Sequence, residues 1–169
     1  MIIRFDLYED IHSPLEDVFS FLSNFSNMPK WNYYIISVTQ ISPGQIQTGT
    51  VFEQIRLRDK HSYKIIQYIP CNKVLIEILP PGPMLQLGFE LFAKEEITQV
   101  VYSWQIDLRK YKLFKYIPNG WIKNGLLSIV QAVVLKKIKP AVAQNFAKLK
   151  ILIETGSVTL QDGRLITLT

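Results

Sequence analysis

The chain of 169 residues is 48% hydrophobic and 20% charged. That balance excludes a disordered polymer and fits one domain of ordinary size, able to bury roughly 70% of the surface its unfolded form exposes. The net charge of +5 is unevenly placed: residues 108–153 carry ten basic side chains and no acidic one, whereas the rest carry nine basic and fourteen acidic. Cys71 is alone, which excludes an internal disulfide and a cysteine-based zinc site and points to a cytoplasmic setting.

Ile2 to Ile11 alternates loosely, with Ile3, Phe5 and Leu7 against Arg4, Asp6 and Tyr8, and reads as a first strand. Its early acidic residues, Asp6, Glu9 and Asp10, do not suit a signal peptide. Ser13 is placed to cap a helix, Pro14 suits its first position, and Ser13-Pro14-Leu15-Glu16 fits a capping box. The stripe Leu15, Val18, Phe19 and Leu22 then predicts a helix over Pro14 to Leu22, and a second short helix starts at Asn24 and ends before Pro29.

Six strands follow. Turn residues separate Asn32–Ser42, Val51–Arg58, Ser62–Ile69, Lys73–Leu79, Leu85–Ala93 and Ile97–Leu108. Connections this short make neighbours antiparallel. Trp121 to Thr155 reads as a long helix, apolar along Ile138, Val142, Phe146 or Asn145, Leu149 and Ile153 and basic elsewhere, with Pro140 expected to kink or break it. The most apolar run, Gly125 to Leu135, is interrupted by Ser128 and Gln131 and falls short of the ~20 residues that span a bilayer. No boundary or repeat interrupts residues 1–155, which read as one domain; residues 156–169 form a tail in which Asp162-Gly163 signals a hairpin.

Two stretches carry a family resemblance. Ile11-His12-Ser13-Pro14-Leu15-Glu16-Asp17-Val18-Phe19, followed by Phe21 to Asn32 with its Met28-Pro29-Lys30-Trp31, resembles the opening of the START-like proteins. This large group, sometimes called SRPBCC, includes polyketide cyclase/dehydrase-like and birch-pollen-allergen-like families. Gly49-Thr50-Val51-Phe52 is similar to its third-strand opening, and Phe146 to Glu154 to its helix end. The resemblance covers residues 2 to 155 and implies an α+β helix-grip fold: a curved antiparallel sheet of six to seven strands wrapped around the C-terminal helix, enclosing an apolar cavity. It specifies architecture and hardly any chemistry, because one fold hosts many functions.

The residues themselves predict a wall for such a cavity. Strand parity places Glu53, Tyr63, Ile76, Phe89, Leu91, Tyr102 and Trp104 inward, with Gln67 sharing the parity of Tyr63; Trp31, just before its strand, is expected near the wall, and the helix contributes Ile138, Val142 and Phe146. Glu53 is the candidate acid or base, since Val51, Glu53, Ile55 and Leu57 form the more apolar face of their strand and burial would raise its pKa. His12 and His61 read as surface residues. No phosphate loop, dinucleotide pattern, nucleophile elbow or metal triad occurs, so neither cofactor nor metal is predicted.

Three readings stay open: a carrier of a lipid-like or polycyclic molecule; a cyclase or dehydratase using Glu53 and a cavity tyrosine; and a cytoplasmic protein peripheral at a membrane or docked on a protein. In the last, Arg109, Lys110, Lys112, Lys115 and Lys123, interleaved with Phe114, Tyr116 and Trp121, meet an anionic surface. Nucleic acid is not expected, because the charge follows a helix whose apolar side is committed to the core.

Overall fold

The computed structural model describes residues 2–108 and 120–168. The first strand, β1, spans Ile2–Ile11 and is followed by helix α1 at Leu15–Ser23 and a 3-10 helix at Phe25–Lys30. Six further strands are β2 (Ile35–Gln40), β3 (Val51–Arg56), β4 (Lys60–Ile69), β5 (Lys73–Ile78), β6 (Leu85–Lys94) and β7 (Ile97–Asp107). They form one seven-stranded antiparallel sheet in the order β1-β7-β6-β5-β4-β3-β2. Hairpin connections alone produce the run β7 to β2, and the chain's two short helices carry it from β1 at one edge to β2 at the other.

The C-terminal helix comprises α2 (Trp121–Val133), a widened π-helical turn (Val134–Ile138) and α3 (Lys139–Thr155). Pro140 explains the turn. As the second residue of α3 it has no N–H to offer the carbonyl four residues back, and its ring crowds that carbonyl. The strain is absorbed one turn earlier, where the Lys139 N–H donates to the Val134 carbonyl, five residues back. The helix bends its hydrogen-bond pattern at Pro140 without stopping. Gly156 ends it in the left-handed conformation (φ 75°), with its N–H donated to the Leu152 carbonyl.

The grip is closed by packing on the helix's apolar stripe. Val134, Phe146, Leu149 and Leu152 are buried in one core cluster with Ile3, Phe5, Val100, Tyr102 and Trp104 of the sheet. After Gly156 the chain makes a hairpin of β8 (Ser157–Thr159) and β9 (Leu165–Thr167) around Asp162-Gly163. Val158 and Leu160 are buried in the core cluster, so this tail packs on the body of the protein.

Local details depart from the sequence reading. Ser13 does not cap α1: Pro14 is the residue before the helix and no side chain caps it, while the Ser13 carbonyl accepts from Thr98 Oγ1 at 2.8 Å. The 3-10 helix runs through Pro29, because a 3-10 turn asks less of the proline nitrogen than an α-helix would. At the far end of the long helix, Glu154 Oε1 accepts from the His12 backbone N–H at 2.8 Å and lies 2.9 Å from His12 Nδ1. The last turn of the helix is thereby tied to the junction between β1 and α1.

Candidate functional site

Between the sheet and the long helix lies a cavity of about 600 Å³. The short 3-10 helix, the sheet and the long helix build its wall. The 3-10 helix contributes Phe25 and Met28, with Trp31 just beyond; β4 contributes Tyr63; β5 and β6 contribute Val74, Ile76, Ile78, Leu85, Leu87 and Phe89; β7 contributes Tyr102, Trp104 and Ile106. The helix closes it with Ile129, Val130, Val133, Val134, Lys137, Ile138, Ala141, Val142 and Asn145, a stripe that steps by three and four residues across the widened turn.

Aromatic contacts stiffen this wall. Trp31 meets Phe89 edge-on at 6.3 Å, Phe89 meets Tyr102 at 5.0 Å, and Tyr102 meets Phe146 at 5.8 Å. Phe5 stacks on Trp104 at 5.1 Å, and Tyr63 is held between Phe25 (5.5 Å) and Phe52 (5.4 Å). Large rings locked against one another leave a void that neighbouring side chains cannot relax into.

The mouth is recognisable by exposure. Ile129 is 63% exposed, Val133 44% and Tyr34 39%, although all three line the cavity. Arg56, Lys137 and Gln54 stand in the same wall. Asn145, buried, donates to Asn32 Oδ1 at 3.1 Å and accepts from Gln161 Nε2 at 2.9 Å, so its amide is committed to fastening the helix to the residues before β2 and to the tail hairpin. Tyr63 is different: its hydroxyl is buried and has no hydrogen-bond partner among the described residues. Burial pushes the Tyr63 hydroxyl far above the ordinary tyrosine range. Burial does the same to Tyr102, which the charge of Arg56 opposes.

Of the side chains assigned to the wall from sequence, Trp31, Tyr63, Ile76, Phe89, Tyr102, Trp104, Ile138 and Val142 line the cavity. Leu91 and Phe146 are buried but are not part of its lining. Glu53 is a correction. The inward face of β3 is Phe52, Gln54 and Arg56, and Glu53 lies on the other face, 2.7 Å from Lys60 Nζ. The candidate acid or base therefore lies outside the cavity. Gln67 is displaced as well: a bulge at Ile66 shifts the register of β4, so that Tyr68, not Gln67, follows Tyr63 and Ile65 inward and meets Phe19 at 5.7 Å.

His12 is exposed, as expected, but His61 is only 14% exposed at its side chain, with Nε2 3.3 Å from Asp59. The segment Arg109 to Lys123, assigned to an anionic surface, lies outside the described residues except for its helical end. Among the described residues no group of His, Cys, Asp and Glu is placed to hold a metal ion, and no helix is long and apolar enough to cross a membrane. Sequence reasoning missed Gln54 and Arg56 entirely.

The fold recurs in solved proteins. The Aha1 dimer from Colwellia psychrerythraea, solved in solution, matches with a TM-score of 0.61 at 15% identity, over 91% of this chain and 98% of that one. The crystal structure of Ara h 8.0201 matches with a TM-score of 0.61 at 14% identity, over 90% of this chain and 98% of that one. No protein-family model matches the chain, and no curated protein matches its sequence. At such identities the likeness is one of fold, and the fold is the START-like helix grip expected from the sequence.

Proposed function

We propose that this START-like helix-grip protein binds a hydrophobic small molecule between its sheet and its long helix. The observation that carries this reading is the cavity of about 600 Å³, walled by interlocked aromatic and aliphatic side chains. Its size falls within the ~300–1,000 Å³ of small-molecule sites, which are likewise mostly apolar with a few placed polar groups. A carrier needs nothing more. An enzyme of the cyclase or dehydratase kind would need a proton donor or acceptor in the wall, and Glu53 does not supply one. The exposed single cysteine, Cys71, supports a cytoplasmic setting.

The test is titration with a fluorescent apolar probe, repeated on Ala141→Trp. Ala141 lines the cavity from the helix, and an indole there occupies ligand space. Saturable binding that the substitution abolishes, with the fold intact by circular dichroism, supports the reading. Absence of saturable binding, or binding that ignores Ala141→Trp, overturns it.

A second reading concerns the membrane surface. Ile129, Val133 and Leu135 are exposed on the same helix as Lys136 and Lys137, the pairing of apolar and basic side chains that rests in a headgroup layer. Each Lys or Arg near an anionic bilayer contributes about 1 kcal/mol, screened by salt. Sedimentation with anionic vesicles at low ionic strength, lost with Lys136→Glu and Lys137→Glu, supports this docking; equal sedimentation with neutral vesicles, or none with either, removes it.

A further inference from the structure

We infer that the cavity selects single-tailed amphiphiles with an anionic head, which Arg56 from the sheet and Lys137 from the helix hold at the mouth while the tail lies along the apolar wall. This rests on the ligand-binding reading of the same cavity and adds the class of ligand. Among the described residues that line the cavity, Arg56 and Lys137 are the charged ones, both are cations, and no carboxylate stands with them.

Their placement separates head from tail. Arg56 ends β3 with about a third of its side chain exposed, at 36%, and Lys137 is exposed on the widened turn. Farther in, Ile76, Phe89 and Trp104 are each about 5% exposed or less. Cations at the rim stay hydrated while the site is empty, so they cost little there, and an incoming anion need not be stripped bare to meet them.

Neither cation is tightly committed. Arg56 Nε lies 3.6 Å from Asp59 Oδ1, beyond hydrogen-bond reach, and Asp59 also faces His61 Nε2 at 3.3 Å. Lys137 has no ion-pair partner among the described residues, and the single pairing of Arg56, with Asp59, is long and half-exposed on the Asp59 side. The field of Arg56 reaches Tyr102 on β7, where it works against the burial that raises that hydroxyl. Gln54, on the same inward face two residues earlier, adds an amide to the head site. A planar guanidinium fits carboxylate and phosphate alike, so the shared chemistry is an oxyanion on an apolar tail.

The experiment compares dodecanoate, dodecyl phosphate and dodecanol as displacers of a fluorescent apolar probe from the full chain at low salt. Wild-type protein, Arg56→Gln, Lys137→Gln and the double variant are measured, each checked for fold by circular dichroism. The expected result is that one or both anions displace the probe about tenfold more tightly than dodecanol, and that the double variant brings the three within about twofold. The stronger anion then identifies the head as carboxylate or phosphate. Equal displacement by all three in the wild type overturns the inference and leaves the cavity reading standing, as does an anion preference that survives the double substitution. If none of the three displaces a probe whose binding Ala141→Trp abolishes, the inference falls and the cavity reading stands; if the probe itself does not bind saturably, both fall. Lys137 is exposed, so Lys137→Gln preserves the test should Arg56→Gln fold poorly.

Discussion

The Tyr63 hydroxyl offers a direct measure of how dry the interior is beside the cavity. Tyr63 is 1% exposed, its ring is fixed by Phe25 and Phe52, and its oxygen has no partner among the described residues. Tyr63→Phe removes that oxygen and leaves the stacked ring in place. An unpaired buried hydroxyl costs about 1–3 kcal/mol. Part of the gain from deleting it is lost with the contacts of one atom and the small void left behind. The expected outcome is net stabilisation by about 1 kcal/mol, a rise in melting temperature of about 2–4 °C for a domain of this size. Urea denaturation reads it as a higher midpoint at unchanged slope. A loss of about 1 kcal/mol or more is what breaking a made hydrogen bond produces; that result would refute the assignment of Tyr63 as unpartnered.

Other outcomes follow from the packing and the charges. Phe146→Ala removes a ring buried against Tyr102 and should cost about 3–5 kcal/mol in the same denaturation experiment, because the locked aromatic wall cannot collapse into the space. Gly88→Ala would put a Cβ 2.8 Å from the Val74 carbonyl oxygen and 2.8 Å from Leu75 Cδ1, so a loss of about 1–3 kcal/mol is expected, and a neutral result would show that β5 and β6 slide apart easily. For Glu154, burial raises the carboxyl's pKa, but the His12 hydrogen bonds and the Lys150 charge outweigh it and hold the group below the ordinary glutamate range. A depressed folded-state value stabilises above the unfolded value of about 4.3 and ceases to do so as pH falls through the folded one. The stability difference between wild type and Glu154→Gln should therefore be constant near neutrality and shrink below about pH 4.3; a difference that grows on acidification contradicts the sign.

Much of the architecture was legible because local signals agreed with one another. Alternation in Leu85–Ala93 and Ile97–Leu108, bounded by turns, gave β6 and β7 nearly to the residue, and Asp162-Gly163 marked the tail hairpin. Pro140 announced a disturbance in the long helix, though not its form, since whether a helix kinks, breaks or widens depends on the sheet it must stay against. The bulges at Ile36 and Ile66 left no trace in the sequence: an extra residue between two apolar neighbours looks like any other strand residue. Ser13 had the right chemistry for a cap but lost the role to the backbone path that brings its carbonyl to Thr98.

The inversion of β3 has a different cause. Alternation assigns the apolar face of a strand to the interior, which presumes that the interior is dry from end to end. At the mouth of a cavity it is not: Gln54 and Arg56 face inward there, while Ile55 and Leu57 on the opposite side are 40% and 46% exposed. The register nevertheless contained the answer. In the β3–β4 hairpin each partnered pair joins an even-numbered residue to an odd-numbered one, as in Phe52 with Tyr63 and Gln54 with His61. Directly opposed residues share a face, so placing Tyr63 inward forces Phe52, Gln54 and Arg56 inward and Glu53 outward. Glu53 and Tyr63 could have shared the cavity only if the turn through Asp59 held one residue more or fewer. Polar residues on the face that hairpin parity turns inward, with apolar ones on its back, mark the strand that carries a cavity's polar contacts, and in this protein that strand is β3.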